Sequence, residues 1–349
     1  PLSVTRDTRR EGTRAPLLPE YEVGRGLWQW QQVDSSLVTC LLLAAARSSW
    51  KDVPGIEAGV VTGDVAWALL KHAKANGYAI PAFNCTSTST CNAVLEAAKS
   101  LDRPIIIQFS EGGAAFFAGR ALDNTQKQAS VLGAVAGAHF VRMVSPSYGI
   151  PVLLHSDRCA KQQLPWLDGM LQADEEFFAI NGEPLYSSHM LDLSQESTEE
   201  NLRTCAEYLK KMAPMKLILE LEMAVSADAP SGAEAEIQIG EIQAAHERLA
   251  PISPMLTIAV KARPELLASF QKHGVESMKM PGPLPFFFAW LGGSSSTKED
   301  VALMLAGGVV KMRMDLETSD VAGTDALRQA EEGMVVRVKE SCTELKNLN

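Results

Sequence analysis

Short apolar runs alternate with longer amphipathic stretches along the chain from about residue 60 onward. The runs carry Val, Ile, Leu and Phe on consecutive positions, which is typical of strands that are buried on both faces. The stretches between them repeat their apolar residues at the helical spacing. Strands are therefore predicted at 78–84, 104–110, 151–157, 185–193, 216–222, 255–261, 285–291 and 309–315. Helices are predicted at 90–101, 131–148, 164–181, 198–212, 237–249, 264–272, 297–306 and 324–348.

Eight strands separated by helices predict a parallel sheet that is covered on both faces. Eight is also the number of strands in a TIM (β/α)8 barrel, which is the fold class that this pattern favours. An open, doubly wound sheet is the alternative, but no GxGxxG motif follows the first predicted strand. In a TIM barrel the chemistry lies at the carboxyl ends of the strands. The polar residues expected at those ends are Asn84, Ser110, Asp157, Asp192, Glu220, Glu222, the run 292–296 and Asp315.

Residues 1–57 lack this regular pattern and hold three of the six tryptophans, Trp28, Trp30 and Trp50. We interpret them as an irregular arm with one short helix at 36–48. Tryptophan and arginine are over-represented at the energetic centres of protein interfaces. We therefore expect the arm to dock on other protein subunits, or else to pack along the outside of the barrel through Trp28 and Trp30. Because the chain begins with proline rather than methionine, either a targeting peptide was removed or the sequence is incomplete, and we favour the removed peptide. The expected location is then an organelle, mitochondrion or plastid, with the cytoplasm as the alternative.

The composition narrows the classes of function. With 349 residues, 46% of them hydrophobic, the chain can bury a large core. A formal charge of −10 argues against binding to nucleic acid. The six cysteines form no CxxC pair, which is typical of reduced thiols rather than disulfides or a zinc ribbon. The apolar stretch Leu37–Ala46 is too short for a membrane-spanning helix, which needs roughly 20 residues.

Several longer segments share one resemblance. They are PAFNC (81–85), IIIQFSEGGAAFFAG (105–119), GIPVLLHSDRCAK (149–161), LPWLDGML (164–171), PLYSSHMLDLS (184–194), LGGSSST (291–297) and GVVKMRMD (308–315). In order and spacing they resemble the class II fructose-bisphosphate aldolases, from about residue 58 to the end of the chain. The resemblance implies a TIM barrel over 58–349, with a homodimer as one assembly. It also implies cleavage of fructose 1,6-bisphosphate to two triose phosphates, with a zinc ion polarising the ketone.

Two metal-binding positions of that family carry other residues here. The family motif His-Thr-Asp-His-Cys reads His-Ser-Asp-Arg-Cys at 155–159. The resemblance implies that Asp157 moves the hydroxyl proton and that Arg158 occupies the place of a zinc-binding histidine. Arginine has no lone pair to give to a metal. A second zinc-binding histidine, before the Gly-Gly-Ser run, is replaced by Leu291.

The third histidine ligand of the family lies in a His-Gly-Val-Tyr loop after the sixth strand. His273 is followed by Gly and Val, but 264–280 fits the helix after that loop better. We therefore interpret His273 as a residue at a helix end and the ligand loop as deleted between Val260 and Pro264. Glu220 matches a family glutamate near the metal.

Other positions match the substrate site of the family. The implied phosphate-binding and substrate-binding residues are Asn84, Ser110, Gly292, Gly293, Ser294, Asp315 and Arg328. Asp228 falls where the family has an acid/base glutamate on a flexible loop. Arg313 stands where the family has asparagine. Lys261 and Lys311 lie near strand ends, yet we do not expect a Schiff-base lysine, because Lys311 belongs to the family's own VKM run without that role.

A catalytic zinc site takes three protein ligands, and two of the family's three are replaced. We therefore expect no metal cofactor and interpret the chain as a catalytically inactive relative that serves as a structural or accessory subunit of a larger assembly. Two alternatives stay open: an active aldolase with a rebuilt metal site, and a metal-free protein that binds a sugar phosphate. We also expect Arg158, or else Arg313, to pair with Glu220 or Asp157 at the carboxyl ends of the strands.

Overall fold

A closed barrel of parallel strands forms the core of the described residues. The computed structural model describes residues 49–119, 121–223, 232–261, 264–293, 296–314 and 324–345, with the backbone alone at 232–235, 237 and 324–332. The strands are β1 (Gly59–Val60), β2 (Ile80–Asn84), β3 (Ile105–Ser110), β4 (Pro151–Cys159), β5 (Ser188–Asp192), β6 (Ile218–Glu222), β7 (Leu256–Val260), β8 (Phe288–Trp290) and β9 (Val309–Met314). The helices are α1 (Gly63–Ala75), α2 (Thr88–Leu101), α3 (Glu111–Ala118), α4 (Gln128–Tyr148), α5 (Leu164–Asn181), α6 (Thr198–Met212), α7 (Gly232–Leu249), α8 (Pro264–Glu276), α9 (Lys298–Ala306) and α10 (Thr324–Glu344).

Strands β2 to β9 pair in sequence order, and β9 pairs with β2 to close the ring. All of these pairings are parallel, as in the register Phe83↔Met314 between β2 and β9. The short β1 adds to the beginning of β4, where Gly59 lies opposite Pro151. The TIM barrel predicted from the apolar pattern is confirmed, and the open-sheet alternative is wrong.

The strand sequences are apolar throughout because both strand faces are buried. Ile107 and Phe109 of β3 point outward and pack under the helices, whereas Ile106 joins the cluster at the base of the barrel. Helices α3 and α4 meet closely at Gly133, where an added Cβ would lie 1.7 Å from the carbonyl oxygen of Ala114. A larger residue at this crossing would push the two helices apart.

Three elements were not predicted. β1 has two residues, too few to show a period, and α3 (EGGAAFFA) holds two glycines that weaken a helical signal. α1 has an ordinary amphipathic face, with Ala66, Leu69 and Ala73 buried; it lies before the first predicted strand, where no helix was expected.

The predicted arm falls only in part within the described residues. Trp28, Trp30 and the predicted helix at 36–48 lie outside them. Trp50 packs against the barrel, since it is buried and its Nε1 donates to the Asp102 carbonyl oxygen at 3.0 Å. Packing on the barrel therefore begins before residue 58. In the part of the chain that the structure describes, no helix is long and apolar enough to cross a membrane.

Candidate active site

Asp157 lies at the carboxyl end of the barrel, where three strands bring polar groups together. Its side chain is 1% exposed. Asn84, at the end of β2, donates from Nδ2 to Asp157 Oδ2 at 2.9 Å, and Nη1 of Arg313 on β9 lies 3.7 Å from the same oxygen. The other oxygen, Oδ1, has no hydrogen-bond partner among the described residues. One oxygen of the carboxylate is thus held by protein, and the other is buried without a partner among the described residues.

The backbone changes direction immediately after this aspartate. Register with β5 shifts between Ser156 and Cys159, and Arg158 has a φ of 56°, in the left-handed region that residues other than glycine rarely adopt. This bulge extends β4 to Cys159, two residues beyond the predicted end.

The prediction about Arg158 is corrected by this geometry. No described carboxylate forms an ion pair with Arg158 within the usual distance, although its charge acts on Glu222. Because the left-handed backbone turns Arg158 away from the direction of the strand, it reaches neither Glu220 nor Asp157. The second choice, a pair between Arg313 and Asp157, is present.

Glu220 contacts a lysine in the barrel interior. Lys311 Nζ donates to both carboxylate oxygens of Glu220 at 2.9 Å and to His155 Nε2 at 2.8 Å. An ammonium group can only donate, so Nε2 accepts and the proton of the neutral ring is on Nδ1, which donates to Ser188 Oγ at 2.8 Å. Burial and the Lys311 charge lower the pKa of His155 well below its usual value. Burial raises the pKa of Glu220, and the Lys311 charge opposes that effect.

Glu222 is a second carboxylate, which the sequence analysis named only as a polar strand end. It is 4% exposed, and Lys261 Nζ donates to its Oε1 at 3.0 Å. Burial and the neighbouring Asp192 raise the pKa of Glu222, while Lys261 and Arg158 oppose the rise. Glu220 and Glu222 are two residues apart on one strand and therefore share a face. That alternation was the available signal that Glu222 also points into the barrel.

The residues after β8 fit the predicted phosphate-binding loop only in part. An added Cβ at Gly293 would lie 2.4 Å from Met314 Sδ and 2.6 Å from the Arg313 carbonyl oxygen, so only glycine fits against β9. Leu291 packs in a small apolar cluster with three other buried residues. Ser294, Asp315 and the Arg328 side chain lie outside the described residues, as does Asp228.

Two other predicted residues have structural contacts. The Ser110 hydroxyl caps α3 by accepting from the Gly113 N–H at 3.2 Å. His273 lies in α8, and its Nε2 is 2.7 Å from Gln243 Oε1 on α7. This confirms the interpretation of His273 as a helix residue.

Comparison with known proteins identifies close relatives. The family description Fructose-bisphosphate aldolase class-II matches residues 65–347. A fructose-bisphosphate aldolase of Aspergillus oryzae is 44% identical over 281 residues, which are 74% of this chain and 78% of the relative. That of Saccharomyces cerevisiae is 43% identical over 280 residues, again 74% and 78%. The crystal structure of the Campylobacter jejuni fructose-bisphosphate aldolase matches with a TM-score of 0.78 and 33% identity, covering 87% of this chain and 99% of that one.

These findings correct two predictions. Relatives that are 43–44% identical over most of their length carry the name of an enzyme, so the interpretation as an inactive structural or accessory subunit is wrong. The matching family is the metal-dependent class, so the prediction that no metal cofactor takes part is also wrong. Substitutions at two ligand positions predict less about activity than the relatedness of the whole barrel does.

The described side chains nevertheless do not fit a zinc centre of the usual three-ligand kind. Across the described ranges, no three His, Cys, Asp or Glu side chains converge on one point. Arg158 has no lone pair, and Leu291 is apolar. The reaction steps assigned to this chain therefore use only its own side chains.

Proposed function

Because the chain belongs to the class II fructose-bisphosphate aldolase family, we propose that it cleaves fructose 1,6-bisphosphate reversibly into two triose phosphates. The observation that carries this proposal is the carboxylate of Asp157. It is buried at the carboxyl end of the barrel, held at Oδ2 by Asn84 and Arg313, and without a described partner at Oδ1. That arrangement suits a general base that takes a proton from a substrate hydroxyl.

The reaction step follows from this geometry. Asp157 Oδ1 accepts the proton of the C4 hydroxyl while the C3–C4 bond breaks. The electron pair of that bond passes from C3 into the C2 carbonyl group, which gives an enediolate in the ketose half, and C4 leaves as the carbon of an aldehyde. Uptake of a proton from solvent at C3 converts the enediolate into the second triose phosphate. The hydrogen bond from Asn84 and the ion pair with Arg313 keep the carboxylate oriented as its protonation state changes. In the reverse direction Asp157 returns the proton to the new hydroxyl.

Positive charge at the carboxyl ends of the strands supports a substrate with two phosphates. Arg158, Arg313 and Lys261 come from the ends of β4, β9 and β7. The glycines 292 and 293 let backbone N–H groups approach an anion, as in other phosphate-binding loops. We propose that Arg158, Lys261 and the loop glycines hold the phosphates while Arg313 keeps Asp157 oriented between them.

We further propose that the chain forms a homodimer, as the family resemblance implies. Large apolar side chains are exposed on the outer helices, with Leu132 54% and Met143 74% exposed on α4. Light scattering of the purified chain is then expected to give twice the mass of one chain, and a monomer would contradict the proposal.

The activity is tested by incubating the purified chain with fructose 1,6-bisphosphate, with zinc supplied, and measuring triose phosphate. The variant Asp157→Asn should lower kcat by roughly 10²-fold to 10⁴-fold, the usual contribution of a general base. Asp168→Asn is a matched control, because Asp168 lies on the outer face of α5 and is half exposed. If the unmodified chain produces no triose phosphate, the proposed function is wrong.

A further inference from the structure

A chain of buried hydrogen bonds lies behind Asp157, on the side of the sheet that faces the helices. Asp174 Oδ2 on α5 is 2.7 Å from His189 Nε2 on β5. His189 Nδ1 is 2.8 Å from Ser156 Oγ on β4. All three side chains are 0% exposed. The catalytic step proposed for Asp157 does not use any of them.

The directions of these hydrogen bonds follow from the groups that take part. Asp174 Oδ1 accepts the Tyr186 backbone N–H at 2.8 Å, and an ionised carboxylate can only accept. His189 therefore carries a proton on Nε2. When the ring is neutral, Nδ1 is an acceptor and Ser156 donates its hydroxyl proton to it. Of the two neutral tautomers, the carboxylate of Asp174 thus favours the one that can accept from Ser156.

Ser156 is the last residue of β4 before the strand leaves its regular register. Its neighbour His155 is fixed from inside the barrel by Lys311 and Ser188. Ser156 is fixed from the opposite face by His189. The backbone that leads into Asp157 is therefore held from both faces, and the bulge with the left-handed Arg158 follows directly.

We propose that His189 is a positioning residue, which acts with Asp174 and Ser156 to set the orientation of Asp157 toward the reacting hydroxyl. This inference rests on the proposed function, because Asp157 is the catalytic residue that it serves. The physical reason is geometric, since a shift of about 1 Å in a catalytic group can cost about 10²-fold in rate. Binding of the phosphates depends on other elements and should change little.

The first experiment compares two substitutions at one position. Ser156→Ala removes the hydroxyl and should lower kcat by roughly 10-fold to 100-fold while KM stays nearly unchanged. Ser156→Thr keeps the hydroxyl and should stay near the unmodified chain. The matched control is Ser145→Ala, because Ser145 is also fully buried but its hydroxyl has no partner among the described residues. Thermal unfolding of each variant separates lost positioning from lost folding.

A second variant keeps the inference testable if Ser156→Ala folds poorly. In Asp174→Asn the amide oxygen can still accept from Tyr186, but the amide nitrogen faces His189 Nε2 and favours the opposite tautomer. The ring ¹⁵N resonances of His189 should then move, and kcat should fall.

The outcomes separate this inference from the proposed function. An inactive unmodified chain contradicts both. An active chain whose folded Ser156→Ala and Asp174→Asn variants keep kcat within about twofold contradicts the positioning role alone. An equal loss in Ser145→Ala would also overturn it.

Discussion

Lys311 Nζ lies 2.9 Å from both carboxylate oxygens of Glu220 inside the barrel, where the lysine side chain is 5% exposed and that of the glutamate 2%. The two residues come from β9 and β6, which are not neighbours in the sheet. The pair therefore crosses the interior of the barrel rather than running along one edge, and His155 completes it from β4.

The first prediction concerns the stability of this pair. Lys311→Met should lower the free energy of unfolding by about 3–5 kcal/mol, because it leaves the buried Glu220 charge without its partner. Urea unfolding measures the change. The double variant Lys311→Met with Glu220→Gln should recover part of the loss, since the uncompensated charge is then gone. A single variant as stable as the unmodified chain would show that the pair is not formed.

The second prediction concerns pH. Burial and Lys311 hold the pKa of His155 well below its ordinary 6.5 in the folded protein. As the pH falls below 6.5, the unfolded chain therefore binds a proton at this histidine while the folded chain does not. Proton binding stabilises the unfolded state relative to the folded state. Below pH 6.5 this residue alone should lower the free energy of unfolding by about 1.4 kcal/mol for each unit by which the pH falls. Above pH 6.5 its stabilising contribution is fully present.

Denaturant unfolding between pH 7 and pH 5 tests this slope. His155→Gln should make the curve flatter, and the amide oxygen can still accept from Lys311. Equal slopes for the unmodified chain and His155→Gln would contradict the prediction.

The third prediction concerns the loop after β8. Gly293→Ala should raise KM for fructose 1,6-bisphosphate and destabilise the fold by about 1–3 kcal/mol, the usual range for overpacking. The added methyl group would contact Met314 and the Arg313 carbonyl oxygen, so the loop must move. Steady-state kinetics and thermal unfolding measure the two effects.

Gly112→Ala is the matched control for that variant. Gly112 lies in α3, and an added Cβ there would have no atom within 4 Å. Because alanine favours a helix over glycine by up to about 1 kcal/mol, this control should be as stable as the unmodified chain or slightly more so. If both variants raise KM alike, the close approach at Gly293 has no part in binding.

The two replaced ligand positions mislead about function when they are considered alone. Arg158 and Leu291 cannot bind zinc, and this fact alone predicts an inactive chain. Two substitutions describe two positions, however, whereas the match to enzymes extends over residues 65–347. Family membership carried more information about activity than the chemistry of either position alone.

The apolar pattern alone was sufficient for the eight strands of the barrel and most of its helices, because strands buried on both faces must be apolar along their whole length. Asp157 and Asn84 were also identified from sequence, since they come at the ends of predicted strands. Only the tertiary structure determines which side chains contact each other. Glu220 and Lys311 are 91 residues apart, and Asp174, His189 and Ser156 lie on three different elements. Such contacts depend on how the barrel closes and on the bulge in β4. Neither feature can be predicted from a local pattern of polar and apolar residues.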